Sequence, residues 1–118
     1  MKLEIKGIYR DGISSEELPE DLYNFNIPLR VEIGERDKAG AVIFHFIAAS
    51  ASGLESECSG NEFKLLRGYI LMERFDWNIV YRSIENIINH ARGYRDNNWN
   101  EVIGFFSRYA GYDGEDIH

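Results

Sequence analysis

The 118-residue sequence predicts an α+β fold: a two-layer sandwich in which a four-stranded antiparallel meander sheet is followed by two C-terminal helices packed on one face. Three observations predict it. Apolar and polar residues alternate through several stretches of the first 49 residues, the pattern of strands. Within residues 64–92 the hydrophobic period changes from two to about 3.6 at Asp76, so a strand passes directly into an amphipathic helix. A second apolar stripe at helical spacing begins near Trp99. No repeat or low-complexity tract divides the chain, so residues 1–118 read as a single domain.

The first strand is read from residues 2–10, with Leu3 and Ile5 on one face and Lys2, Glu4 and Lys6 on the other. This half-buried pattern suits a strand at or beside a sheet edge, and Gly7 breaks its phase as a bulge does. Residues 11–25, DGISSEELPEDLYNF, lack a sustained strand pattern. Asp-Gly, Ser-Ser and Leu-Pro mark turns there, so the segment reads as a loop with at most one helical turn ended by Pro19. Residues 26–34 alternate cleanly, with Ile27, Leu29, Val31 and Ile33 inward. Pro28 has no N–H to give a ladder and belongs near the strand start or on an unpaired side. GERDKAG then makes a hairpin loop longer than two residues.

Residues 41–49, AVIFHFIAA, are the most hydrophobic run and read as a central strand. Its second apolar face, Ile43, His45 and Ile47, calls for partial cover or a partner. Residues 50–63 read as loop with at most a short helical turn, and residues 65–72 as the fourth strand. Asp76 caps the first long helix, whose stripe is Val80, Ile84, Ile87, Ile88 and Ala91, and Gly93 stops it. Asn98, three residues before Glu101, resembles a capping box for the last helix. That helix carries Val102, Ile103, Phe106, Tyr109 and Ala110 on one side, with Trp99 packing back on the first helix. The tail from Gly111 is expected to be loosely ordered.

Charge narrows the function. Twenty acidic against thirteen basic residues give a net charge of −7. Nucleic-acid binding needs a basic stripe to replace phosphate counterions, so direct contact with DNA or RNA is not expected. A basic protein partner suits this charge, although plain solubility suits it too. The N-terminal residues alternate like a strand and hold no apolar run long enough for a signal peptide or a membrane span. Cys58 is the sole cysteine, which excludes an internal disulfide and fits a reducing compartment; the expected location is cytoplasmic.

Catalytic chemistry does not assemble. His45, His90, His118 and Cys58 are the only imidazoles and thiol, and an acidic neighbourhood disfavours the Cys58 thiolate. His45 in an apolar strand suits a sheet-face role, and His90 near a helix end suits the dipole. No metal-ligand spacing, phosphate-cradling loop or nucleophile elbow is present, so no enzyme activity, metal or cofactor is expected.

A family resemblance enters through the C-terminal half. The segment RGYILMERFD at 67–76, a helix, then Asn98, Trp99, Glu101 and Val102 opening a second helix with Ser107, Arg108 and Tyr109 near its end, resembles the immunity protein 8 family. Members of that family are small bacterial proteins encoded beside polymorphic or contact-dependent toxins, and they protect the producing cell by binding the cognate toxin. The resemblance implies a toxin-neutralising inhibitor. Combined with the charge, it implies a basic partner, of the nuclease type, whose active site is blocked.

Loops carried by a rigid sheet are the expected contact surface. The first acidic loop supplies Glu16, Glu17, Glu20 and Asp21, with Tyr23 and Phe25 as apolar anchors; the second supplies Glu55, Glu57 and Glu62; the tail supplies Asp113, Glu115 and Asp116. The competing readings are a small-ligand-binding domain with a pocket beside His45, and a regulatory interaction module unrelated to toxins.

Overall fold

The computed structural model describes residues 2–10, 13–14, 17–58, 60, 66–91 and 99–112, with the backbone alone for 13, 14, 57 and 112. Among them the order is β1 (Leu3–Arg10), β2 (Ile13–Ser14), β3 (Asn26–Glu35), β4 (Val42–Ala49), α1 (Ala51–Glu55) with a 3-10 turn (Ser56–Cys58), β5 (Tyr69–Leu71), α2 (Trp77–Ala91), α3 (Trp99–Phe106) and β6 (Gly111–Tyr112). The sheet runs β2-β1-β3-β4-β5, and β6 pairs with β4. This is the expected α+β plan of a sheet followed by C-terminal helices.

The alternation in the sequence becomes two faces with different fates. Ile27, Leu29, Val31 and Ile33 of β3 and Phe44, Phe46 and Ala48 of β4 are buried. The helices cover this face: the Phe44 ring lies 4.8 Å from that of Phe106 in α3, and α2 buries Val80, Ile84, Ile88 and Ala91 in the same core. Removing one such aliphatic side chain from water is worth about 1.5–3 kcal/mol, which is why the α2 stripe fixes the helix against the sheet. On the opposite face Tyr9, Arg30 and His45 are cross-strand neighbours, Arg30 and His45 are exposed, and Ile43 and Ile47 are half-buried. The Tyr9 phenol bonds to the Glu32 carboxylate, and that bond, with the charge of Glu32, raises its pKa above the ordinary value.

Local expectations hold where local chemistry decides them. The β1–β3 register shifts between Ile5 and Gly7, so Gly7 sits at the bulge. The turn after Glu35 needs positive φ at Asp37 (67°) and Gly40 (94°), and Lys38 N–H closes it onto the Glu35 carbonyl. Pro28 is exposed two residues into β3. Asp76 caps α2: its Oδ1 accepts from the Asn78 N–H at 2.8 Å, and its carbonyl accepts from Ile79 and Val80. Asp76→Ala is therefore expected to cost about 1 kcal/mol, read as a lower midpoint with an unchanged slope in urea unfolding.

Three points differ from the sequence reading. The fourth strand, β5, pairs parallel to β4, with Ala48 opposite Ile70, instead of closing an antiparallel meander. The 50–68 connection is long enough to bring the chain back to the level of Ile47, so that β5 runs beside the last three residues of β4 in the same direction. Short strands β2 and β6 extend β1 and β4 where only loop and tail were expected. In α3 the inward residues are Val102, Phe105 and Phe106, while Tyr109 lies exposed beyond the helix end. The expected stop at Gly93 and the capping role of Asn98 lie outside the described residues.

Candidate functional site

One end of the sheet gathers three connections. Residues 17–25 lead into β3 there, the chain passes from β4 into α1 at Ser50, and β5 leads into α2 through residues 72–76. Backbone bonds tie them together: Met72 N–H donates to the Ala49 carbonyl at 3.0 Å, Ser50 N–H to the Phe25 carbonyl at 3.0 Å, and Phe75 N–H to the Leu22 carbonyl at 2.8 Å. The Trp77 indole N–H reaches the Glu17 carbonyl at 3.2 Å. A stretch with no regular secondary structure is thus held by the backbones of two neighbouring connections.

Ser50 is the hub. It is 2% exposed, and its Oγ accepts from the N–H groups of Phe25 at 3.0 Å and Gly53 at 3.2 Å, the second bond capping α1. Ser52 Oγ donates to Asn24 Oδ1 at 3.0 Å, and the Asn26 side-chain amide donates to the Gly53 carbonyl at 3.2 Å. Beneath this polar clasp lies an aromatic floor in which Phe75 makes edge contacts with Phe25, at 5.3 Å between centroids, and with Trp77, at 4.9 Å.

Phe25 therefore differs from the sequence expectation. At 5% exposure it is an internal prop of the loop and not a surface anchor. The other anchor, Tyr23, is 59% exposed. Asp21 fixes its backbone: the Oδ1 accepts from the Tyr23 N–H at 2.9 Å and the Asn24 N–H at 3.2 Å, an Asx turn that points the segment outward. Glu17, Glu20 and Asp21 are all exposed. Glu55 is exposed at the end of α1, whose first turn is bonded to the Tyr23-bearing segment. Glu57 falls in the 3-10 turn, with its side chain outside the description. Glu16, Glu62, Asp113, Glu115 and Asp116 lie outside the described residues.

Sequence reasoning missed the contribution of β5. Its last residue, Leu71, is 61% exposed, and with Tyr23, Ala51, Met72 and Glu73 it borders an open depression of about 580 Å³. The parallel pairing of β5 brings these residues beside the acidic loop; a sequence pattern that fixes strand identity does not fix strand order. On the other side of Tyr23 a second depression, of about 780 Å³, is bordered by Glu20, Asp21, Asn24 and Arg10.

The described reactive residues lie elsewhere, and His118 is outside the described residues. His45 is exposed on the open sheet face, His90 is in the last turn of α2 with Nδ1 2.7 Å from the Asn86 carbonyl, and Cys58 is an exposed free thiol. Among the described residues no three of His, Cys, Asp and Glu gather as a metal-binding group, and no helix is long and apolar enough to cross a membrane.

A two-layer scaffold whose braced loops present carboxylates beside exposed apolar side chains is the layout of a protein-binding module. The chain belongs to the immunity protein 8 family: the family model matches residues 3–117, nearly its whole length and well beyond the C-terminal half that carries the motif resemblance. It is thus an immunity protein directed against a polymorphic toxin. No curated protein and no solved structure matches it.

Proposed function

We propose that this immunity protein neutralises a basic toxin domain, of the nuclease type, by stoichiometric binding in the cytoplasm of the producing cell, and that the end of the sheet around Tyr23 is the surface that covers the toxin's active site. The observation that carries the proposal is the placement of two exposed apolar side chains, Tyr23 and Leu71, on a hydrogen-bonded loop frame beside Glu17, Glu20, Asp21 and Glu73. Frames of this kind lose little freedom on binding, so more of the contact energy appears as affinity. Clefts that hold nucleic acid are positive, and a net charge of −7 on the inhibitor speeds their encounter. In this reading Glu55 extends the same acidic surface, and Glu16, Glu57 and Glu62 are further toxin contacts.

Copurification with the C-terminal domain of the toxin encoded beside this chain tests it. A one-to-one complex at low salt that also suppresses toxin activity is expected, and the lack of any complex would contradict the function. The alternative contact through Asp113, Glu115 and Asp116 is separated by truncation after Tyr112, which keeps the β6 pairing to β4 and removes the three acids. The truncated protein is expected to protect as well as the parent in a growth assay with the toxin induced.

A further inference from the structure

We infer that Tyr23 divides a two-compartment recognition site, with an apolar socket for an aliphatic or aromatic side chain of the toxin on one side and a carboxylate trough for a neighbouring Arg or Lys on the other. The inference deepens the proposed function and rests on it. Tyr23 borders both depressions, which otherwise share no lining residue among those that define them. The socket side is lined by Tyr23, Ala51, Leu71 and Met72, together with Ser50 and Ser52. Leu71 stays 61% exposed although it belongs to a paired strand, so covering the remainder stabilises only a complex.

On the trough side Glu20 and Asp21 outnumber Arg10, and the Asx turn engages Oδ1 of Asp21. A cation entering there meets carboxylates on a segment already fixed in place. The occupant that satisfies both halves is one stretch of chain carrying a large apolar residue next to a basic one. Glu73 at the socket border extends the negative field to that side as well, so a segment of the opposite charge pattern is repelled from both compartments.

The two halves leave different kinetic signatures on binding to the isolated toxin domain, measured by surface plasmon resonance at low and high salt. Leu71→Ser is expected to raise the dissociation rate about tenfold, with the association rate and its salt dependence unchanged, because an apolar anchor acts after encounter. Glu20→Gln is expected to slow association about threefold and to flatten its salt dependence. Tyr23→Ala combines both effects. Thermal melts of the free variants check that the fold persists, since all three side chains are exposed.

If Leu71→Ser and Tyr23→Ala release the toxin domain no faster than the parent, the two-compartment site is overturned, while neutralisation of the toxin by stoichiometric binding stands. A change confined to Glu20→Gln overturns it equally, because the socket then holds nothing. If the parent itself forms no complex, site and function fall together.

Discussion

Reversing Glu17, Glu20 and Glu73 to Lys together slows capture of the toxin domain by about 10- to 100-fold at low salt and leaves the melting temperature of the free protein nearly unchanged. All three side chains are exposed, and among the described residues no salt bridge involves them; the described ion pairs lie at the other end of the sheet, around Glu4, Lys6, Arg36, Glu35 and Lys38. Glu17 contributes to the fold through its backbone carbonyl, which the Trp77 indole keeps whatever the side chain is. Their charges are therefore available for steering, and the triple change moves the net charge from −7 to −1 as each −1 becomes +1. The difference between parent and variant shrinks as salt rises, since the Debye length falls to about 3 Å at 1 M. Stopped-flow association at several salt concentrations reads this directly. A variant that associates at the parental rate would exclude this end of the sheet as the docking surface.

Gly53→Ala destabilises the protein by about 3 kcal/mol and lowers its melting temperature by about 10 °C or more. The cause is a close approach of two backbones. A Cβ on Gly53 would stand 2.7 Å from the Phe25 carbonyl carbon and closer still to its oxygen, and neither is the movable end of a flexible side chain. The Phe25 carbonyl is also the acceptor for the Ser50 N–H, and the Phe25 N–H is the donor to Ser50 Oγ. Separating the two segments thus breaks the clasp that sets the position of Tyr23. The same variant at low temperature, still folded, is expected to bind the toxin domain more weakly although no contact residue has changed. Gly104, which has open space around its would-be Cβ, supplies the control: Gly104→Ala sits inside α3, where alanine is the better helix former, and should keep or raise stability.

Most of the scaffold was legible in the sequence because it is specified locally. The β3 alternation, the Asp76 cap and the α2 stripe each depend on residues within a turn or two of one another, and each appears as read. The order of β5 was not legible. Its residues say that it is a strand, but whether it lies parallel or antiparallel to β4 is decided by how the 50–68 connection packs, a long-range matter. That one pairing determines what faces Tyr23.

The candidate surface was half legible for the same reason. An acidic loop with a Tyr is visible in any listing of residues 16–23, and its exposed members stand where loops of a sheet end stand. Phe25 could not be told from Tyr23 by residue type, since either ring serves as core or anchor; the structure separates them through the edge contact with Phe75. Leu71 carries no sequence mark at all. In RGYILMERFD it looks like one more core strand residue, and its register opposite Ala49, on the sheet face away from the helices, is what leaves it uncovered.

Amide hydrogen exchange of the free protein and of its complex with the toxin domain compares every region of the chain in one measurement. Burial of the braced end predicts that added protection concentrates in residues 17–25, 50–53 and 71–74. Added protection confined to the β1–β3–β4 face around Tyr9, Arg30 and His45, or to the outer sides of α2 and α3, with residues 17–25 exchanging as in the free protein, would contradict it.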